Sequence, residues 1–133
     1  MRTVEIKVRG YHLDVFGHVN NARYLEFLEE GRWALFDEGI NLEDLAREGF
    51  AFNVVNINID YRQPVFLNDL ICVETALEKI GHRSATLRQT VKRQASGEVV
   101  ADAAVTFVML SLQEKKAAVL EGPLRERILS VFG

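Results

Sequence analysis

Apolar residues recur at one spacing in the first third of the chain and at another in the rest, and that change constrains the fold more than any other feature. Between residues 21 and 38, Tyr24, Phe27, Leu28, Gly31, Leu35 and Phe36 fall three and four apart, and Leu25 and Trp33 widen the stripe. The spacing predicts one helix roughly 27 Å long. Asn20-Asn21 opens it, Asn being a good N-cap, and Gly39 is placed to end it. Asn41 is placed to cap a second, short helix from Leu42 to Glu48, with Gly49 at its end. From residue 50 the period is two. Val55, Ile57, Ile59 and Tyr61 share one face, while Phe50, Phe52 and Val54 are out of phase with them, which puts a β-bulge or a bend near Val54. Pro64 ends that run. Ile71, Val73, Thr75 and Leu77 form one face of a strand that runs to Ile80 and is broken by Gly81. Ala85, Leu87 and Val91 alternate with polar residues, Ser96-Gly97 reads as a hairpin turn, and Val99, Ala101, Ala103, Val105, Phe107 and Met109 line the last strand. Val4, Ile6 and Val8 mark a strand ahead of the helix, and Leu124 to Phe132 reads as a short C-terminal helix.

One long helix followed by strands in series is an α+β pattern with an antiparallel sheet. The sheet needs its apolar face covered, and only the long helix is big enough. A curved antiparallel β-sheet wrapped around one long central α-helix satisfies both elements; this is the hotdog arrangement. Apolar residues over much of the helix circumference suit an element enclosed by a sheet. The 133 residues read as a single domain, 1–133, without linker or repeat. With 48% hydrophobic and 26% charged residues the chain is not a disordered one. A formal charge of −3 argues against nucleic acid as a partner. No apolar run approaches the roughly 20 residues that span a bilayer, so no membrane partner is expected. The lone Cys72 has no partner for an internal disulfide, which suits a reducing compartment. The first residues alternate polar and apolar where a signal peptide is continuously apolar, so a cytoplasmic protein is expected.

The segment from Tyr11 to Tyr24 concentrates the chemistry: Asp14, His12, His18, Asn20 and Asn21 directly precede the long helix. A helix N-terminus carries unpaired N–H groups and partial positive charge. Such groups polarise a carbonyl oxygen and stabilise the oxyanion of acyl transfer. Asp14, folded over the same spot, supplies a nucleophile or a base for water. The plainer alternative is that Asp14 and His18 cap turns in an ordinary loop. His18 reads as a residue that orients the loop, and His12 as a loop or strand-end residue. A zinc site from His12, His18 and Asp14 is chemically feasible, but no further ligand cluster supports it.

The run Asp14-x-x-Gly17-His18-Val19-Asn20-Asn21-Ala22-Arg23-Tyr24-Leu25 resembles the signature of the 4-hydroxybenzoyl-CoA thioesterase-like hotdog family. The resemblance continues through Ile59-Asp60-Tyr61-x-x-Pro64, Gly81-x-x-Ser84 and Val100-Ala101-Asp102, and so covers nearly the whole chain. Lys7 to Val15 and Arg23 to Glu30 are similar to its bacterial long-chain acyl-CoA thioesterase branch. The resemblance implies hydrolysis of long-chain fatty acyl-CoA to fatty acid and CoA. The alternatives are a thioesterase for acyl carrier protein or aromatic acyl-CoA, and an acyl-CoA-binding protein without turnover. It further implies that Asp14 is the catalytic aspartate, that the Asn21 N–H polarises the thioester carbonyl, and that His18 is a third catalytic candidate. The string His18-Val19-Asn20-Asn21 is similar to one in plant acyl-carrier-protein thioesterases, which implies a base at His18, the alternative to orienting the loop. Asn20 and Tyr24 fall near the site, and Val54 and Val55 beside an acyl tunnel. Lys79, His82 and Arg83, together with Ser84 of the Gly81-x-x-Ser84 string, flank Gly81 and either hold CoA phosphates or form a solvated turn. Neither cofactor nor metal is implied. The family's site between subunits implies a homo-oligomer, a dimer or a dimer of dimers, with Ala51 to Ile59 as the pairing edge. Glu29 and Glu30 are expected to face solvent or an interface, and Cys72 to be an inert core residue.

Overall fold

In a computed structural model that describes residues 1–133, the change of period is a change of element. β1 (Arg2–Lys7) leads through one turn of 3-10 helix at Gly10–His12 and a loop into α1 (Arg23–Gly39), followed by α2 (Leu42–Arg47). Then come β2 (Phe50–Tyr61), β3 (Leu70–Ile80), β4 (Ala85–Arg93), β5 (Val99–Ser111) and the two-residue β6 (Lys116–Ala117), and α3 (Gly122–Phe132) ends the chain. The sheet order is β1-β3-β4-β5-β2 with β6 also on β5, and every pair is antiparallel. The core lies between α1 and the inner face of this sheet, as the α+β hotdog reading requires.

Bulges set which residues face inward. In β2 the register slips between Val54 and Asn56, so Val54 opposes Phe107 and Ile57 opposes Val105. Phe52 and Val54 thereby join Ile57 and Ile59 on the core face. Val55 does not share that face, contrary to the alternation; it is the extra residue of the bulge and is 54% exposed. Two further slips were not anticipated, one at Glu78 in β3 and one at Val100 in β5.

The buried face of α1 is the predicted one, with Arg32 added to it. Leu25 and Trp33 are instead exposed, so the helix is covered on one side only by its own sheet. Contact is closest at Gly31, where a Cβ would come within 2.8 Å of Gln89 Nε2, Thr75 Oγ1 and Val73 Cγ1. Gln89 is fully buried there. Its Nε2 donates to the Leu28 carbonyl at 2.9 Å and to Thr75 Oγ1 at 2.8 Å, and its Oε1 accepts from Arg32 Nη1 at 3.1 Å.

The ends of α1 differ from expectation. The helix begins at Arg23, and neither Asn20 nor Asn21 is its N-cap. Asn20 instead accepts the Ala22 N–H through Oδ1 at 2.9 Å, in a turn just ahead of the helix. Gly39 is the last helical residue, and its missing side chain makes room for Val131 of α3, whose Cγ2 would lie 2.9 Å from a Cβ there. Asn41 caps α2 as predicted, accepting from the N–H groups of Glu43 and Asp44, although α2 stops at Arg47. α3 brings Phe132 against Phe107, with ring centroids 5.3 Å apart, and closes an aromatic cluster with Phe36 and Phe52.

The tight fit at Gly31 has a measurable consequence. Gly31→Ala overpacks the contact and is expected to lower unfolding stability by about 1–3 kcal/mol. Urea denaturation should show a lower midpoint at an unchanged slope; an unaltered midpoint would mean that α1 can ride higher on the sheet at no cost.

Candidate active site

The loop between β1 and α1 folds on itself. Leu13 bridges Val19, the Asp14 N–H donates to the His18 carbonyl at 3.0 Å, and the Gly17 N–H donates to the Asp14 carbonyl at 3.1 Å. Gly17 takes a positive φ of 83°, which a residue with a side chain adopts only at a cost. The carboxylate of Asp14 caps this turn with one oxygen only: Oδ1 accepts the Phe16 N–H at 2.9 Å. Oδ2 lies 3.8 Å from His18 Nδ1, beyond hydrogen-bond range but within ion-pair range. His18 Nδ1 is 3.3 Å from the Val19 carbonyl, a partner to which the ring must donate.

The amides that lead into α1 are almost all engaged. Val19 N–H donates to the Val65 carbonyl at 2.8 Å, Asn20 N–H to the His12 carbonyl at 2.9 Å, and Arg23 N–H to the Asn20 carbonyl at 2.9 Å. Ala22 N–H goes to the Asn20 side chain. From Val19 to Arg23, only the Asn21 N–H has no acceptor in the chain. It stands at the positive end of α1. The Asn21 carbonyl accepts a hydrogen bond from the Tyr61 hydroxyl at 3.1 Å.

Asp14, His18, Asn21 and Tyr24 line one open cavity of about 660 Å³ together with Tyr61 and Pro64. Tyr24 is buried edge-on against Tyr61, with ring centroids 5.2 Å apart. Burial pushes its hydroxyl up to about 12, against the pull of Arg93, so Tyr24 is neutral at pH 7. The other wall residues, Phe16, Val19, Tyr61, Arg62, Gln63 and Pro64, carried no site role in the sequence. Tyr61 had a signal, the Asp60-Tyr61-x-x-Pro64 string; Phe16 had none.

The other candidates lie elsewhere. His12 faces a separate cavity between β1 and α1, where its Nδ1 accepts the Arg9 N–H at 2.9 Å and burial lowers its pKa from the ordinary 6.5. It therefore does not join His18 and Asp14 in a zinc-ligand set, and no three His, Cys, Asp or Glu side chains of the chain converge on a point. Asn20 acts through the turn just described rather than through the cavity wall. Val54 packs into the core and Val55 points outward at its bulge; neither borders the cavity. His82, Arg83 and Ser84 lie in the β3–β4 turn, and Lys79 stands beside it near the end of β3, paired with Thr86. Successive turns of an antiparallel sheet alternate between its two ends, and this one is at the end away from Asp14. From Val91, level with Tyr61 across the sheet, to Ala85 beside the turn is six residues of strand, about 20 Å. Arg83 donates to the Ala117 carbonyl at 2.7 Å there. Glu29 and Glu30 are exposed on the outside of α1, and Cys72 is buried with its thiol pushed up by desolvation.

An unengaged N–H at a helix start, a carboxylate oxygen facing the same cavity and a sheet around the helix all suit acyl transfer. Residues 8–128 match the model of the thioesterase-like superfamily. The chain belongs to that family. This thioesterase is 49% identical to the long-chain acyl-CoA thioesterase FadM of Escherichia coli K12 over 124 residues, 93% of this chain and 94% of that one. It superposes on the crystal structure of the probable thioesterase YbaW of Escherichia coli with a TM-score of 0.92 and 46% identity, over 98% of each chain. It is also 32% identical to the chloroplastic acyl-acyl carrier protein thioesterase ATL2 of Arabidopsis thaliana over 80% of this chain and 57% of that protein.

The two oxygens of Asp14 separate its roles in a variant. In Asp14→Asn the side-chain oxygen still accepts the Phe16 N–H, so the turn and the melting temperature should be kept. Loss of the charged oxygen is expected to lower kcat for thioester hydrolysis by about 100-fold or more. Near-normal turnover by the folded variant would remove Asp14 from the chemistry.

Proposed function

We propose that this protein hydrolyses long-chain fatty acyl-CoA to free fatty acid and CoA. The chain is an acyl-CoA thioesterase, and one observation carries the reading to the level of mechanism: the Asn21 N–H and the free oxygen of Asp14 border the same cavity. The Asn21 N–H donates to the thioester carbonyl oxygen, where negative charge builds as the tetrahedral intermediate forms. The helix end adds its positive potential. Asp14 Oδ2 then acts by one of two routes. It adds to the carbonyl carbon, expels the CoA thiolate and leaves an acyl–aspartyl anhydride that water opens; or it takes a proton from the water that adds, and the thiolate leaves from that intermediate. His18, donating to the Val19 carbonyl, orients the loop that carries Asp14. The buried Tyr24 forms the apolar wall at the mouth of an acyl path that runs from Asp14 between α1 and the sheet toward Val54; Val55, which points outward, lies off that path.

The assembly is part of the proposal. β2 is an edge strand of twelve residues with no partner on its outer side within the chain. A second copy pairing along Ala51 to Ile59 covers that edge, in a dimer or a dimer of dimers. Lys79, His82, Arg83 and Ser84, distant from the cavity of their own chain, reach CoA phosphates only from a second copy. The whole chain acts as one domain in this reading. Its setting is the cytoplasm, in keeping with a free buried Cys72, and no helix is long and apolar enough to cross a membrane. A second reading, hydrolysis of acyl carrier protein thioesters, is favoured by the kinship with ATL2.

Thiol release across a panel of acyl-CoA and acyl carrier protein thioesters tests both readings. Each buried methylene contributes roughly 0.8 kcal/mol, so kcat/KM is expected to climb with chain length to a maximum at long acyl-CoA. Best activity on acetyl-CoA or an aromatic acyl-CoA would overturn the substrate assignment, and a preference for the carrier protein would select the second reading. Sedimentation at micromolar concentration is expected to show at least a dimer; an active monomer would separate β2 from the assembly.

A further inference from the structure

Tyr61 connects the end of the sheet to the start of the helix. It is the last residue of β2 and pairs with Ala101 of β5. Just beyond it, the N–H groups of Arg62 and Gln63 both donate to the carbonyl of Val100, the extra residue of the β5 bulge, at 2.8 and 3.1 Å. The strand end is thus clamped to the middle of the sheet. From there the Tyr61 hydroxyl donates to the Asn21 carbonyl at 3.1 Å, and its ring stands against Tyr24. The other hydrogen bonds around residue 21 belong to its neighbours: Asn20 bonds to His12, Ala22 and Arg23, and the Ala22 carbonyl accepts the Leu25 N–H at 3.3 Å.

We propose that Tyr61 is a positioning residue for thioester hydrolysis: its hydroxyl holds the backbone at residue 21 so that the Asn21 N–H points at the carbonyl oxygen. The inference rests on the thioesterase reading above. The effect is one of geometry. The hydroxyl bonds to the carbonyl that follows Asn21, whereas the catalytic N–H belongs to the peptide before it, so Tyr61 restrains rotation of the chain about residue 21 and does not polarise that N–H. An oxyanion donor works only when it is aimed at the place where charge develops, and a displacement near 1 Å can cost on the order of 100-fold in rate. Tyr61 is half exposed, so loss of its hydroxyl leaves no buried group without a partner on its own side.

Tyr61→Phe keeps the ring on Tyr24 and removes the bond. The variant is expected to show kcat about tenfold lower, with KM within about twofold and the melting temperature unchanged, the pattern of an interaction felt only in the transition state. In the ligand-free protein, the amide NMR signal of Asn21 should move, while amides in the β3–β4 turn stay in place. An Asn21 signal that does not move overturns the inference, as does a kcat close to that of the wild type. A loss confined to KM assigns the hydroxyl to direct substrate contact and also overturns it. Failure of the wild-type protein to cleave any thioester would instead sink the thioesterase reading, and the Asn21 signal would still decide whether Tyr61 restrains that residue.

Discussion

Gln89 is an amide buried in a sheet face that is apolar around it but for Thr75, and the position of α1 follows from satisfying it. Without partners a buried amide costs several kcal/mol. Its donor end takes the Leu28 carbonyl and Thr75, its acceptor end takes Arg32, and these bonds are made together only when α1 lies at one depth and one rotation. Gly31 removes the side chain that would hold the helix off. Apolar packing alone tolerates sliding; this contact does not. Its effect is felt two turns away, at the N-terminus of the helix, where Tyr24 and Asn21 arrive beside the Asp14 turn.

The site then needs little more than a loop that closes locally. Asp14 satisfies its own turn with one oxygen and keeps the other free. Asn20 collects the amides around it and leaves one N–H over. The plain reading of Asp14 as a turn cap holds for one oxygen, and the other is left for the chemistry proposed above. The third wall comes from the end of β2, the strand whose outer edge is open. A copy of the chain added at that edge, as proposed above, would lie next to the cavity.

The sequence was most legible where one pattern had one interpretation. The bulge in β2 is visible because Phe52 and Val54 are apolar in one phase and Ile57 and Ile59 in the other. The bulge at Val100 is hidden because Val99, Val100 and Ala101 are apolar in both. Gln89 interrupts an apolar face, and an alternation count simply passes over it, although it is the residue that docks the helix. Leu25 and Trp33 look like core in a helical wheel because the wheel does not know how far one sheet reaches around the helix. Asp14, His18, Asn21 and Tyr24 come together because the loop that holds them spans few residues. Tyr61 is 40 residues from Asn21, and only the tertiary fold joins them. Lys79, His82, Arg83 and Ser84 look like phosphate ligands because polar groups cluster around Gly81, and the alternation of hairpin ends carries them to the far side of their own chain.

The bulge at Val55 gives β2 a parity. The strand is an even count and an odd count joined at one residue, and both halves face the core because that residue stands outside the ladder. A substitution at Val55 alters one exposed side chain. Deleting it leaves Val54, Asn56 and Ile57 in plain alternation against Phe107, Thr106 and Val105, so every other side chain keeps its face. What the deletion removes is the local bend and added twist of the bulge. Relatives of this chain should vary freely in the identity of residue 55, and those that lack it should carry a straighter edge strand.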